Sequence, residues 1–372
     1  MSDLAIVLVH YRTPDLLVDA IVALQRDLAL SGLEAEILVV DNGSEPRDRA
    51  AWSDLALRRI DPGANLGYAG GVRCGVEATR AERIVAMNPD VVVVEGCLGR
   101  LLDELARGAA AAGPQFYWDG GRRYLLPPTE QRSAGAELRA ALARRFPAAP
   151  GVAGAARHAW RRHARRHWDA PAPFPSTALS GALIAFRRDA WARIGPFDEA
   201  YRLYFEETDW LLRLRAAGLE ARFVPAARAV HLFAQSSVQE PQATAWFAAA
   251  ERLFRRRHYG AGFARLLQLL GEGKSARSRP RADSLRRSAA PPTIAAGELA
   301  TPRAATWVEI ALSPSGFPAA GERLSAPGAD WRLAEEVWRR LPPGELWLRG
   351  VDAAGGESSP LHLARVSAVE RA

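Results

Sequence analysis

The chain has 372 residues, 48% hydrophobic and 24% charged, enough for a large folded core and unlike the composition of a disordered segment. Its two cysteines, Cys74 and Cys97, have neither disulfide-framework nor zinc spacing, and no apolar run is long enough to span a bilayer. The net charge of +7 is uneven: residues 155–168 carry five arginines and no acid, and residues 251–287 carry eleven Arg or Lys against three acids. Such patches attract anionic lipid, nucleic acid or a phosphorylated substrate, and a solvated helix face explains them about as well. With no basic leader at Met1-Ser2-Asp3 and no disulfide pattern, the expectation is a cytoplasmic protein in a reducing compartment.

Leu4–Val9 is a continuous apolar run, the pattern of a parallel strand buried on both faces. Thr13-Pro14 then predicts a helix start, with Thr as cap and Pro in the first turn, and Leu17, Ala20, Ile21 and Leu24 repeat at helical spacing to Ser31-Gly32. Ile37–Val40 is a second buried strand, ending in Asp41-Asn42-Gly43-Ser44. This β-α-β order predicts a right-handed parallel unit. An acid at such a strand end can accept hydrogen bonds from a ribose or base, or close an Asx turn on its own backbone. No Gly-x-Gly-x-x-Gly follows the first strand and no Gly-Lys-Ser/Thr loop occurs, which argues against a dinucleotide fold and a P-loop.

The glycine-rich stretch Asn65-Leu66-Gly67-Tyr68-Ala69-Gly70-Gly71 permits close backbone approach to a ligand or to the sheet. Met87-Asn88-Pro89-Asp90 lies between two apolar runs and puts a carboxylate where a strand ends, the edge at which parallel sheets bind ligands. In isolation it reads as a turn. Leu179–Phe186 reads as another strand, and Arg222–Pro225 and Ala229–Leu232 as two short ones. Glu206, Glu207 and Asp209 fall together at a helix start, where the dipole favours anions, yet three acids so close repel one another and raise at least one pKa. His231 stands at a strand end, where a lone His is more often structural than a metal ligand.

Residues 1–270 are read as one α/β domain with a mostly parallel central sheet, interrupted by an Arg-, Ala- and Pro-rich insertion over residues 115–175. Residues 244–270 form basic amphipathic helices that suit a membrane surface or the flank of the domain equally. Residues 271–300 read as a linker, and the period-two pattern after Thr306 predicts a small β-sandwich-like domain over residues 301–372. Trp331, Trp338 and Trp347 are read there as core residues, with glycan contact as the alternative.

Taken in order, Val9-His10-Tyr11, Val40-Asp41-Asn42-Gly43-Ser44, the glycine stretch, Asn88-Pro89-Asp90, Ser180-Gly181-Ala182, Gly195-Pro196-Phe197-Asp198-Glu199, Glu206-Glu207-Thr208-Asp209-Trp210 and His231 resemble the family 2 glycosyltransferases, in their bacterial rhamnosyltransferase-like branch. The resemblance covers about residues 4–260. It implies a GT-A nucleotide-sugar-binding fold and an inverting, metal-dependent transferase acting in cell-surface polysaccharide synthesis, with rhamnose among the candidate sugars. It implies nucleotide-sugar contacts at Tyr11, Asp41, Asn65, Gly67 and Asn88, and a divalent cation, Mg or Mn, on Asp90 and His231. Asn88 stands where the family has an acid, so Asp90 alone carries charge in that motif. Glu207 falls where the family places its base, Glu206 and Asp209 remain alternatives, and Ser180, Gly181 and Trp210 fall on the acceptor side.

The implied partners are a nucleotide-diphosphate sugar and a glycan or lipid-linked acceptor, with peripheral contact at the inner face of the plasma membrane. Nucleic acid is not expected, because the arginine runs lack interleaved aromatics. The competing reading is a non-catalytic glycan-binding or scaffold protein. A sugar nucleotidyltransferase is a third, but it needs a glycine-rich loop after the first strand.

Overall fold

A computed structural model describes residues 3–130, 132–146, 150–232, 242–272, 285–288, 290–341 and 344–365. The chain divides into two compact units. One comprises Met1–Phe116, Pro128–Arg132 and His167–Ala264; the other comprises Tyr117–Pro127, Ser133–Arg166 and Arg265–Ala372.

The helices, in chain order, are α1 (Pro14–Ser31), α2 (Pro46–Ala50), α3 (Gly67–Glu77), α4 (Cys97–Ala106), α5 (Ala134–Arg145), α6 (Pro150–Trp168), α7 (Arg188–Ile194), α8 (Glu206–Ala216), α9 (Ala243–Tyr259), α10 (Ala261–Glu272) and α11 (Glu335–Arg340). The first unit is built on a nine-stranded sheet. Its strands are β1 (Leu4–His10), β2 (Glu36–Asp41), β3 (Arg58–Ile60), β4 (Arg83–Met87), β5 (Val91–Val93), β6 (Ala111–Tyr117), β7 (Phe174–Pro175), β8 (Leu183–Arg187) and β9 (Ala221–His231). They lie in the order β3-β2-β1-β4-β8-β6-β9-β5, with β7 on β9. The first four are mutually parallel, and β8 turns the sheet antiparallel.

Every residue of β1 is buried, as its unbroken apolar run requires of a strand covered on both faces. One cover is α3, whose glycines are spaced for packing. A Cβ on Gly71 would overlap Val9, and one on Gly75 would overlap Val7. The glycine stretch therefore brings helix and sheet together, so that Val72 and Val76 join Val7 and Val9 in the core. Thr13 gives α1 no side-chain cap; its amide donates to His10 Nε2 at 3.1 Å, and Gly32 closes the helix in a left-handed conformation. The two strands read on either side of Ala226 are one continuous β9.

The second unit carries a five-stranded sheet in the order β10-β16-β15-β12-β13 and a two-stranded ribbon of β11 and β14. The strands are β10 (Leu285–Ser288), β11 (Thr293–Ile294), β12 (Trp307–Ala311), β13 (Ala319–Arg323), β14 (Trp331–Arg332), β15 (Gly344–Val351) and β16 (Leu361–Arg365). Two boundaries read from sequence change here. Most of the 115–175 insertion belongs to this unit, because α6 docks by its arginines: Arg161 forms a two-pronged pair with Glu309 of β12, at 2.6 and 2.7 Å, and Arg165 lies over Trp307. The linker read over 271–300 contains β10 and β11, and its residues 273–284 lie outside the described chain. Trp331, Trp338 and Trp347 are all buried, which removes the surface a glycan would stack on.

Candidate active site

The site forms at the carboxyl ends of β1, β2 and β4. His10 closes β1, fully buried, with Nε2 accepting the Thr13 amide and Nδ1 at 2.8 Å from Ser44 Oγ. Burial lowers its pKa against the opposing pull of Asp41, so the ring is neutral and Nδ1 donates to Ser44. Asp41 closes β2 and is also buried; Ser44 donates its amide to Oδ1 at 2.9 Å and Arg49 donates to Oδ2 at 2.7 Å. Burial opposes ionisation of Asp41, but these hydrogen bonds outweigh it and hold its pKa below the usual carboxylate range. Both oxygens are thus engaged, in the Asx-turn arrangement, and Asp41 does not line the cavity described below. Its neighbour Asn42 does, while its amide donates to the Gly67 carbonyl at 2.9 Å and so fastens the start of α3 to the end of β2.

Asn88-Pro89-Asp90 is both a turn and a site element. Val91 donates its amide to the Asn88 carbonyl, which closes the turn, and Asn88 and Pro89 line the cavity. Asp90 is turned toward β9. The antiparallel register pairs Val91 with His231, and Leu232 donates its amide to the Asp90 carbonyl at 3.0 Å. His231 Nε2 consequently lies 3.4 Å from Asp90 Oδ1. A carboxylate beside an imidazole is a donor set that accepts Mg or Mn. Among the described residues no group of three or more His, Cys, Asp or Glu converges, so a cation here would draw its remaining ligands from substrate and water.

The acids of α8 stand in different environments. Asp209 is buried and does not face the cavity; Arg213 donates to its Oδ2 at 2.8 Å and His258 sits 2.8 Å from Oδ1. Burial disfavours its charge, but those two partners prevail and its pKa is lowered. Trp210, read as an acceptor-side residue, is fully buried among Phe186, Trp191 and Phe197, with its indole N–H on the Gly195 carbonyl. Glu206 and Glu207 do line the cavity. Burial, then the neighbouring Glu207, pushes the Glu206 pKa well up, and Glu206 Oε2 has no hydrogen-bond partner among the described residues. Burial raises Glu207 as well, but amides of Glu207, Thr208 and Gly181 and the charge of Arg132 pull the other way. Burial thus favours the neutral form most strongly at Glu206, and the amides around Glu207 oppose that shift there.

Gly181 explains how Glu207 fits. A Cβ on Gly181 would stand 3.2 Å from Glu207 Cβ and Cγ and 3.3 Å from Cδ. Tyr68 holds the same loop, donating its hydroxyl to the Gly181 carbonyl at 2.5 Å. Burial, reinforced by Glu206, Glu207 and Asp90, pushes the Tyr68 pKa well up, so the phenol stays a donor.

These pieces surround one cavity of about 270 Å³. Of the residues expected to act, Tyr11, Asn65, Gly67, Asn88, Ser180, Gly181, Glu206, Glu207 and His231 line it; Asp41, Asp90, Asp209 and Trp210 do not. Tyr68, Arg202, Leu203, Tyr204 and Trp246 also line it, and the sequence reading assigns none of them a role. Tyr204 and Phe205 adopt consecutive positive φ angles of 70° and 72°, which sequence does not advertise at two aromatic residues. Trp246 falls within the amphipathic pattern of residues 244–270, where an aromatic facing a cavity looks like one facing a membrane. Asn65, which accepts the Gly67 amide and whose carbonyl accepts from Arg202, is the available pointer to that side.

The family model described as Glycosyl transferase family 2 matches residues 5–168. An N-acetylglucosaminyl-diphospho-decaprenol L-rhamnosyltransferase of Mycobacterium tuberculosis is 31% identical over 237 residues, covering 59% of this chain and 74% of the relative. The low-salt glycan biosynthesis hexosyltransferase Agl10 of Haloferax volcanii is 23% identical over 236 residues, covering 62% of this chain and 67% of the relative. The mannosyltransferase PcManGT from Pyrobaculum calidifontis, solved with GDP-Man and Mn2+, aligns with a TM-score of 0.43 at 16% identity, over 72% of this chain and 64% of that one. The chain belongs to glycosyl transferase family 2 and is a glycosyltransferase with the GT-A fold.

Proposed function

We propose that this enzyme moves a hexose, rhamnose first among the candidates, from a nucleoside-diphosphate donor to a hydroxyl of a lipid-diphosphate-linked glycan, with inversion. The observation that carries the reading is the shared cavity: Glu207 at the start of α8 and the strand-end residues Tyr11, Asn42 and Asn88 face one space. The 31% identical relative is an L-rhamnosyltransferase named for an N-acetylglucosaminyl-diphospho-decaprenol, which supports the sugar and the acceptor class.

In this reading Glu207 takes the proton of the acceptor hydroxyl as that oxygen attacks the anomeric carbon. The bond from that carbon to the diphosphate oxygen breaks, and the diphosphate leaves with the electron pair. Burial and the neighbouring Glu207 push the Glu206 pKa well up, which favours its neutral form beside that base. Asn42, Asn65 and Gly67 orient the nucleotide side. Asp90 and His231 would hold a divalent cation, which when bound supplies neutralising charge to the leaving diphosphate. With two protein donors, Mn²⁺ binding to the free enzyme should be weak and should tighten with a nucleoside diphosphate present. Calorimetry showing tight Mn²⁺ binding to the free enzyme would reject that donor set.

Among the described residues no helix is long and apolar enough to cross a membrane. Leu266 and Leu269 of α10 are nonetheless exposed, and so is Arg265 of the same helix. That pattern supports peripheral contact with an anionic bilayer, where the lipid-linked acceptor resides. The test of the function is transfer from dTDP-rhamnose and other nucleotide sugars to a synthetic GlcNAc-diphosphoprenol, with product anomeric configuration read by NMR. A retained configuration, or no transfer from any donor, rejects the mechanism.

A further inference from the structure

Arg202 lies in the wall of the cavity, exposed, on the loop that leads into α8. Among the described residues lining the cavity it is the one Arg or Lys. No carboxylate pairs with it among the described residues, unlike Arg213 on Asp209 or Arg257 on Asp198. Its position is nevertheless determined from two sides. The guanidinium stands over Trp246, 4.8 Å from the ring centroid, and one N–H donates to the Asn65 carbonyl at 3.2 Å. The backbone is set independently: its carbonyl oxygen presses on Gly67, where a Cβ would meet it at 2.5 Å. An arginine held by an aromatic face and a backbone carbonyl loses little freedom when it grips a ligand, and its remaining N–H donors match the oxygens of a phosphate.

We propose that Arg202, supported by Trp246 and Asn65, is a phosphate-binding residue that takes the diphosphate of a substrate. The inference rests on the transferase reading, which puts a diphosphate on both substrates: the leaving group of the sugar donor and the lipid linkage of the acceptor. A diphosphate brought into a cavity that already holds the Glu207 carboxylate requires a compensating cation, and Arg202 supplies it from the chain itself. Gly67 and Asn65, which fix Arg202, are also the residues that start α3 on the nucleotide side, so one loop couples diphosphate binding to the placement of α8.

The test uses the full-length chain, wild type and the variants Arg202→Gln, Arg202→Lys and Trp246→Leu, with binding followed by calorimetry. The probes are dTDP, UDP and GDP against their nucleosides, and farnesyl diphosphate against farnesol. Arg202→Gln should weaken one class of diphosphate by about 10- to 100-fold while leaving nucleoside affinity unchanged. Arg202→Lys should fall between, because it keeps the charge and loses the fork, and Trp246→Leu should follow the same direction more mildly. Loss confined to nucleoside diphosphates assigns Arg202 to the donor, and loss confined to farnesyl diphosphate assigns it to the acceptor; either supports the proposal. Equal binding by wild type and Arg202→Gln, with matching thermal unfolding, overturns it and leaves the transferase reading standing. A wild type that binds neither class of diphosphate overturns both.

Discussion

Adjacent glutamates at the start of α8 sit in different surroundings. Glu206 is buried without a partner for Oε2 among the described residues, whereas Glu207 receives backbone amides, including that of Gly181. Because the folded pKa of Glu206 lies above its unfolded value, its contribution to stability is full below the ordinary Glu range and is lost as pH rises through the folded value. Glu206→Gln, which mimics the protonated form, should therefore raise the unfolding midpoint at pH 8 and lose that advantage at pH 4. Gly181→Ala should displace the Glu207 carboxylate, lowering kcat about tenfold or more with the fold retained, since a small misplacement of a catalytic group is costly. Circular dichroism and steady-state kinetics on one preparation would separate the two effects. The acids at 206, 207 and 209 are legible in the sequence as a cluster at a helix start, but the division among them is not. Arg213 reaches Asp209 one helical turn away, but the division also depends on His258 reaching Asp209 and on Gly181 lying against Glu207, contacts across long stretches of chain.

Among the elements, the loop before α8 is held in an unfavourable conformation by α9, which follows β9 in sequence. Tyr204 and Phe205 have φ of 70° and 72°, a region that costs non-glycine residues about 1–2 kcal/mol each. Phe205 is retained by packing on Phe254 and Phe247 of α9, in a cluster with Tyr201 and Ala250. Phe254→Ala should cost about 3–5 kcal/mol in urea unfolding and should also lower kcat, because the loop sets where Glu207 begins. A variant that unfolds as easily as expected yet keeps full kcat would break the link between α9 and the site. The strands β1, β2 and β4 can be read directly, since buried parallel strands are written as unbroken apolar runs. The inward face of α9 cannot be assigned that way, because periodicity reveals an apolar face and not what covers it.

At the scale of the whole molecule, the sequence order of segments does not match the compact units. Helix α6 precedes β8 in sequence yet anchors to the C-terminal sheet through Arg161, whose ion pair with Glu309 is buried on both sides. The cluster of arginines at residues 155–168 has the look of a solvated or ligand-facing surface; its real partners, Glu309 and Glu357, lie more than a hundred residues away, a pairing no local pattern encodes. Breaking a buried pair on one side costs about 3–5 kcal/mol, so Glu309→Ala should markedly destabilise the second unit, and Arg161→Leu with Glu309→Leu should recover much of that loss. For the same reason a fragment ending at residue 270 should fold poorly, since α6 would lose the sheet that its arginines grip. Differential scanning calorimetry of that fragment beside the full chain checks this directly.

We propose Glu207 as the catalytic base, beside a Glu206 whose pKa burial pushes well up. The most direct measurement is single-turnover transfer by Glu207→Gln and Glu206→Gln against wild type, across pH 5 to 9, with nucleotide sugar and GlcNAc-diphosphoprenol saturating. Glu207→Gln should lose about 10²- to 10⁴-fold at every pH while still binding the donor. Glu206→Gln should keep transfer within about tenfold, since the amide resembles the neutral form that burial favours there, and the wild-type rate should fall on the acid side at a pH above the ordinary glutamate range. Undiminished transfer by Glu207→Gln, or abolition by Glu206→Gln alone, would contradict the account.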